Sequence, residues 1–289
     1  KNKELVLFRS VSYGCSHENG CIQSSYRHYN WSAITTVISF TATNLSEVVA
    51  MARAHNVRVV QGVLFSEHGE PSARFNTSRL EDPSYTTGWI RAAVGQVVAN
   101  NVDGFNLDVE HFHSPTARTK ACFTAFVCAL QAGLQGANRS LFSVDTQVWG
   151  ETDVFDLRAL SACSDYLLPC AYDLVGKDGN ASSNSPLTTV RKDLGEFYLR
   201  AGVPPQKVIL GLPAYGYAFP CTSEAAGSAA VWPRGDSAAP PCHVMPVTPL
   251  STWQVGLGTV VEKLQTPGVV TVRGRDDVTR SGSPWMEYN

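Results

Sequence analysis

Val102-Asp103-Gly104-Phe105-Asn106-Leu107-Asp108-Val109-Glu110 sets three carboxylates in an otherwise apolar run. Phe105, Leu107 and Val109 alternate with Asn106, Asp108 and Glu110, which is the period of a β-strand. Asn106, Asp108 and Glu110 therefore share one face, with the Cα atoms of Asp108 and Glu110 roughly 6.5–7 Å apart. Two carboxylates on one buried face are costly unless one holds a proton or both have partners. Such an arrangement raises one pKa, as a general acid requires.

Outward from this strand, apolar runs alternate with helical periodicity. Strands are expected at 5–8, 34–40, 57–64, 141–148, 166–172 and 207–213. Helices are expected at 44–55, 83–100, 116–134, 154–160 and 186–201. The inward positions of the second helix are Trp89, Ile90, Ala93, Val97 and Val98, and those of the third are Ala121, Phe123, Phe126, Val127 and Leu130. Strands and helices at this spacing mean βαβ units and parallel pairing. Seven such units in one α/β domain favour a TIM (β/α)8 barrel over a doubly wound sheet, and no GxGxxG opens a helix to support dinucleotide binding. Strands one to seven fall within 1–217. Residues 218–289 read as a small α+β insertion after strand seven, beginning with a segment rich in Ala, Pro, Gly and Ser. No segment reads as an eighth strand, so the barrel is expected to be truncated before it, with strands one and seven left as open edges.

Composition narrows the function classes. The 289 residues carry a formal charge of −2, which makes no electrostatic case for nucleic acid or an anionic membrane. No apolar run approaches the ~20 residues of a membrane span. The N-terminal Lys1-Asn2-Lys3-Glu4 carries neither an initiator Met nor a signal peptide, so a processed form or a piece of a longer chain is expected. Cys15/Cys21 and Cys221/Cys242 bracket loops that disulfides could staple, whereas Cys122 and Cys128 lie on different faces of one helix and should not pair with each other. The absence of CxxC argues against a zinc site. Asn-x-Ser/Thr sequons occur at Asn30, Asn44, Asn76, Asn138 and Asn180, where roughly two would arise by chance. Together with eight cysteines they point to the secretory pathway.

The remaining strand ends match the acidic one in chemistry. Strand five ends Asp145-Thr146-Gln147-Val148-Trp149, strand six Ala171-Tyr172-Asp173, and strand seven Leu212-Pro213-Ala214-Tyr215-Gly216-Tyr217. The C-terminal ends of barrel strands carry the active site. Acids, tyrosines and a tryptophan gathered there suit a sugar, because aromatic faces stack on pyranose rings and carboxylates hold hydroxyl or amide hydrogens. Taken singly, the same residues have blander readings. An Asp-x-Glu can be a structural ion-pair or divalent-metal site, and Tyr172, Tyr215 and Trp149 can be core or rim residues. His111 and His113 lie past the strand end, alternate with Phe112, and read as loop residues.

Asp103-Gly104-Phe105-Asn106-Leu107-Asp108-Val109-Glu110 resembles the DGxxxDxE signature of family 18 glycoside hydrolases, the chitinase family. Asn106 stands where most chitinases carry a second Asp, which is similar to the chitobiase branch, as is Tyr29-Asn30-Trp31-Ser32-Ala33-Ile34-Thr35-Thr36-Val37. Tyr172-Asp173 and Gly211-Leu212-Pro213-Ala214-Tyr215-Gly216-Tyr217 resemble the family's sixth and seventh strand ends. The resemblance implies a retaining glycosidase for β-1,4-linked N-acetylglucosamine in chitin-like oligosaccharides or glycan cores, with the exo action of a chitobiase. Glu110 would be the general acid, Asp108 would orient the N-acetyl group and steady the charge on its nitrogen, and Tyr172 would hydrogen-bond the acetamido carbonyl. Asn106, Asp173, Tyr215, Gln147 and Trp149 would contact substrate, and Asp103 would be a buried structural acid. The resemblance implies no cofactor or metal. A monomer in the lysosome or outside the cell is expected, with an N-acetylglucosamine oligosaccharide as its partner. An endo-acting chitinase or endo-N-acetylglucosaminidase, or a glycan-binding lectin on the same fold, are the alternatives. The family's eighth strand ends in a Trp that floors a sugar subsite. Trp285 lies in a segment matching the insertion and is not assigned that role, so a chain of this length is expected to be poorly stable and weakly active.

Overall fold

The computed structural model describes residues 4–9, 25–65, 75–109, 112, 115–148, 154–174, 183–218, 254–267, 270–275 and 284–288. The chain forms two compact units, one of Lys1–Cys170 with Gly195–Leu210 and one of Ala171–Leu194 with Gly211–Asn289.

The first unit is a six-stranded sheet in the order β1 (Val6–Arg9), β2 (Thr36–Ser39), β3 (Arg58–Phe65), β4 (Gly104–Val109), β5 (Leu141–Gln147) and β6 (Tyr166–Cys170). Every neighbouring pair is parallel. Helices α1 (Leu45–Ala54), α2 (Pro83–Ala99), α3 (Ala117–Gly136) and α4 (Leu157–Ala162) make the successive crossovers from β2 to β6. Their starts are written in the sequence. The Asp82 side chain accepts from Ser84 and Tyr85 N–H with Pro83 at the first helical position, and Thr116 and Thr119 form a capping box. Ala93 and Val97 of α2 and Phe123, Phe126, Val127 and Leu130 of α3 are buried, as the periodicity predicts. Val98, 47% exposed, and Ala121 face outward instead. Val98 follows Val97 by 100° around the helix and leaves the core-facing stripe.

The sheet curls. Ile38 and Val60 pack with Leu168, and the same cluster takes in Val6 from β1, Leu141 and Tyr166, and Ile209 beyond β6. Residues from the first and last strands thus share one inward core. On the outer face, Trp89 of α2 meets Phe105 of β4 edge-on at 5.9 Å and packs on Phe126 of α3 at 5.5 Å, which backs β4 with aromatic mass. A disulfide joins Cys128 of α3 to Cys163 at the end of α4. Cys122 is not its partner, as the helix-face argument required. Cys15, Cys21, Cys221 and Cys242 lie outside the described residues.

The seventh apolar run departs from expectation. Residues 207–213 form no strand, and their link to β6 is a single bridge, Leu167 to Val208, with Ile209 N–H donating to the Leu167 carbonyl. The odd-numbered residues of this segment direct their backbone bonds toward the run, as Leu167 does to Ile209 and Ala171 to Gly211. Pro169 occupies the intervening position and has no N–H to give, so the ladder is interrupted there. The helix expected at 186–201 is α5 (Leu187–Asp193) followed by a π-helical stretch, Leu194–Leu199.

In the second unit, β7 (Tyr215–Tyr217) pairs antiparallel with β8 (Gln254–Gly256), α6 (Leu257–Gln265) follows, and β9 (Val270–Arg275) pairs antiparallel with β10 (Pro284–Tyr288). The described elements after residue 217 are thus one helix and short strands, an α+β content. Residues 219–253 lie outside the described residues.

Candidate active site

The inward face of β4 is built from its base upward. Asp103 precedes the strand and is tied to β3 twice: its N–H donates to the Val59 carbonyl at 2.7 Å, and its carboxylate accepts from Val59 N–H at 2.7 Å. It is half-buried, and its bonds are to backbone. Gly104 comes next because nothing larger fits: a Cβ there would lie 1.7 Å from the Leu141 carbonyl oxygen of β5. The close approach sets the register in which Gly104 pairs with Leu141, Asn106 with Ser143 and Asp108 with Asp145.

Asn106 is fully buried. Its amide N–H groups donate to Ser143 Oγ at 2.9 Å and Asp145 Oδ1 at 2.8 Å. Its Oδ1 is buried with no hydrogen-bond donor among the described residues. Asp108 follows on the same face and is half-buried. Its neighbour across the ladder is Asp145, itself 1% exposed, so two acidic residues occupy matching positions on adjacent parallel strands, a backbone spacing of about 4.8 Å. The sequence patterns assign Asp145 no role. The parity Leu141, Ser143, Asp145 was the available signal, because it puts Asp145 on the inward face of β5.

Tyr198 braces the end of β5. Its hydroxyl donates to the Gln147 carbonyl at 2.8 Å and lies 2.7 Å from Thr146 Oγ1. Burial pushes this phenol well above its ordinary range, against the opposing effect of the Thr146 hydrogen bond. The residue comes from the π-helical stretch, and no sequence signal marked it. Gln147 is half-buried, with its backbone in this brace. Glu110, Trp149, His111 and His113 lie outside the described residues.

The second unit gathers its own polar cluster. Asp173 sits in the left-handed region at φ 58° and is exposed. Its Oδ1 accepts from Tyr215 at 2.5 Å and Tyr217 at 2.6 Å. Its N–H donates to Asn184 Oδ1 at 2.7 Å, and Asn184 in turn donates to the Tyr215 carbonyl at 3.0 Å. The Tyr172 ring meets Tyr215 edge-on at 6.2 Å. Tyr172, Asp173 and Tyr215 are thus brought together as the strand ends suggested. Asn184, the residue that ties them, was not legible, because a lone Asn in a loop carries no pattern. Among the described residues no three His, Cys, Asp or Glu side chains gather as metal ligands would.

The chain belongs to glycosyl hydrolases family 18, whose family model matches residues 20–266. It is 29% identical over 209 residues to a Dictyostelium discoideum protein named "Probable di-N-acetylchitobiase 1", covering 68% of this chain and 52% of that one. It is 25% identical over 206 residues to di-N-acetylchitobiase of Rattus norvegicus, covering 69% and 53%. The chain thus spans about half the length of these relatives. In fold it resembles the family 18 chitinase of Cycas revoluta, solved in complex with (GlcNAc)3, at 15% identity with TM-score 0.73 over 98% of this chain and 84% of that one. It also resembles the Group IV chitinase of Ostrinia furnacalis at TM-score 0.71 and 15% identity, over 99% and 83%. These likenesses give the TIM-barrel fold class expected from the alternating strands and helices.

Proposed function

We propose that this chain carries the acid machinery of an exo-acting, chitobiase-like glycosidase that hydrolyses β-1,4-linked N-acetylglucosamine in chitin-like oligosaccharides or glycan cores. The observation that carries the reading is the inward row Asn106–Asp108 at the end of β4, continued in sequence by Glu110, in a chain of this family. Glu110 protonates the glycosidic oxygen as the C1–O bond breaks, and the substrate's own acetamido oxygen attacks C1 to give an oxazolinium. Asp108 orients that acetamide and steadies the positive charge on its nitrogen, and Tyr172 hydrogen-bonds its carbonyl. Water then adds at C1, Glu110 takes its proton, and configuration is retained. Because the substrate supplies the nucleophile, neither carboxylate has to attack carbon, and both can stand close together on one strand. Asp173 and Tyr215 contact sugar hydroxyls, with Gln147 and Trp149 as further contacts. The chain needs no cofactor for these steps.

The test uses reducing-end-labelled chitin oligomers. The wild-type chain is expected to release N-acetylglucosamine units from one end, and Glu110→Gln to lose turnover by about a thousandfold while still binding the oligomer. Internal cleavage products would replace the exo reading with the endo one. Binding without any turnover in the wild type would favour a lectin, and unchanged turnover in Glu110→Gln would sink the mechanism. The sequons and the Cys128–Cys163 disulfide favour a secretory, lysosomal or extracellular, location. A mass shift on enzymatic removal of N-glycans from protein made in animal cells tests that placement.

A further inference from the structure

The second carboxylate that most chitinases carry on strand four is absent here, where Asn106 takes its place. The structure holds a carboxylate beside it on the next strand. Asp145 is 1% exposed, lies in register with Asp108, and accepts from the Asn106 amide at 2.8 Å. Both N–H directions of that amide are spent, one on Asp145 and one on Ser143. The remaining valence of Asn106 is therefore its carbonyl oxygen, which is buried and has no donor among the described residues. A carbonyl can accept a hydrogen bond from a protonated carboxyl or a water and offers nothing to a carboxylate.

We infer that Asp145 is a positioning residue for the reaction: it replaces, across the ladder, the carboxylate missing from position 106, and by holding the Asn106 amide it governs the protonation of Asp108. Two effects act in the same sense. Like charges on adjacent strands disfavour simultaneous ionisation, and the fixed amide presents an acceptor to the strand-four face. Asp108 therefore keeps its proton to higher pH than it would alone. On the β6 side the register neighbour of Asp145 is Leu168, which carries no charge. Tyr198 feels both Asp145 and Cys170. On the β3 side the register neighbours of Asn106 and Asp108 are Gly62 and Leu64, which carry no charge.

The inference rests on the role given above to Asp108, and its test is read independently of turnover. Carboxyl-carbon NMR of 13C-aspartate-labelled protein is expected to show two wild-type resonances with biphasic titration, the mark of a coupled pair. Asp145→Asn, which preserves shape, should make the Asp108 curve monophasic and lower its midpoint by about one pH unit. The acid limb of kcat should move the same way. The exchange Asn106→Asp with Asp145→Asn returns a carboxylate to the pair and should bring the midpoint back to the wild-type value or above. Monophasic wild-type curves, or an Asp108 midpoint unmoved in Asp145→Asn, would overturn the inference, and the first of these needs no variant to fold. A wild-type chain that cleaves nothing would defeat the proposed function and leave the titration readable.

Discussion

The two polar clusters are built on opposite principles. On β4 and β5 the side chains are fixed by a parallel ladder: Asn106, Asp108, Ser143 and Asp145 hold their places because Gly104 meets Leu141 without a Cβ between them. In the second unit, Asp173 is exposed at a positive φ, and its order comes from side-chain bonds to Tyr215, Tyr217 and Asn184. A ladder spreads its cost over many backbone bonds and tolerates a buried charge. A side-chain network on a loop is cheap to alter and well suited to following a ligand's shape. The difference fits the proposed division of labour, rigid proton chemistry for the first cluster and adaptable hydroxyl recognition for the second.

The comparison breaks most sharply at Gly104. A methyl group there would overlap a backbone carbonyl, which cannot rotate away as a side chain could. Gly104→Ala should destabilise the fold by on the order of 3 kcal/mol, measured by urea denaturation. Asp108 and Asp145 should lose their register with it. A variant as stable as wild type would mean that β4 and β5 slide easily, and the rigid half of the contrast would fail.

The residues that make the ladder were largely legible. Alternation around Phe105, Leu107 and Val109 gave β4 and its inward row, because strand parity is a local property. Five further strands and their helices followed from the same periodicities. The seventh run departs from its pattern because 207–213 is apolar enough for a strand, while the obstacle, Pro169, sits on its neighbour. A proline's effect on the next strand depends on which residues bond to which side, and that is a tertiary fact. Tyr198 and Asn184 were hidden for a related reason. Each acts on partners 11 to 52 residues away through one or two polar atoms, and isolated polar atoms leave no period in the sequence.

Tyr198 sharpens the contrast from beneath. Tyr198→Phe removes the donor to the Gln147 carbonyl and leaves the buried Thr146 hydroxyl without that partner. The expected cost is about 1–3 kcal/mol in denaturant melts at neutral pH. The pH dependence carries a sign. Burial raises the folded phenol above its unfolded value of about 10. Its stabilising contribution is therefore complete below pH 10 and is lost as pH rises from there through the folded value, because the unfolded chain gives up the proton first. Wild-type stability should fall above about pH 10 at up to ~1.4 kcal/mol per pH unit from this group. The phenylalanine variant should lack that component of the slope, and an unchanged alkaline slope would show that Tyr198 is not sealed in.

The smallest effect on stability, and the most telling, is expected at Asp173. Asn keeps the side-chain shape and tolerates the left-handed backbone at φ 58°. Asp173→Asn thus removes the charge that two tyrosine hydroxyls share and little else. An exposed site of this kind should change unfolding free energy by no more than about 0.5 kcal/mol. If the cluster recognises sugar hydroxyls, the loss should fall on binding: KM for an N-acetylglucosamine oligomer should rise about tenfold, equivalent to about 1.4 kcal/mol, while kcat moves much less. The reverse pattern, a large loss of stability with KM unchanged, would make Asp173 a structural staple like Asp103. The two clusters would then differ in burial alone, and recognition would have to lie elsewhere.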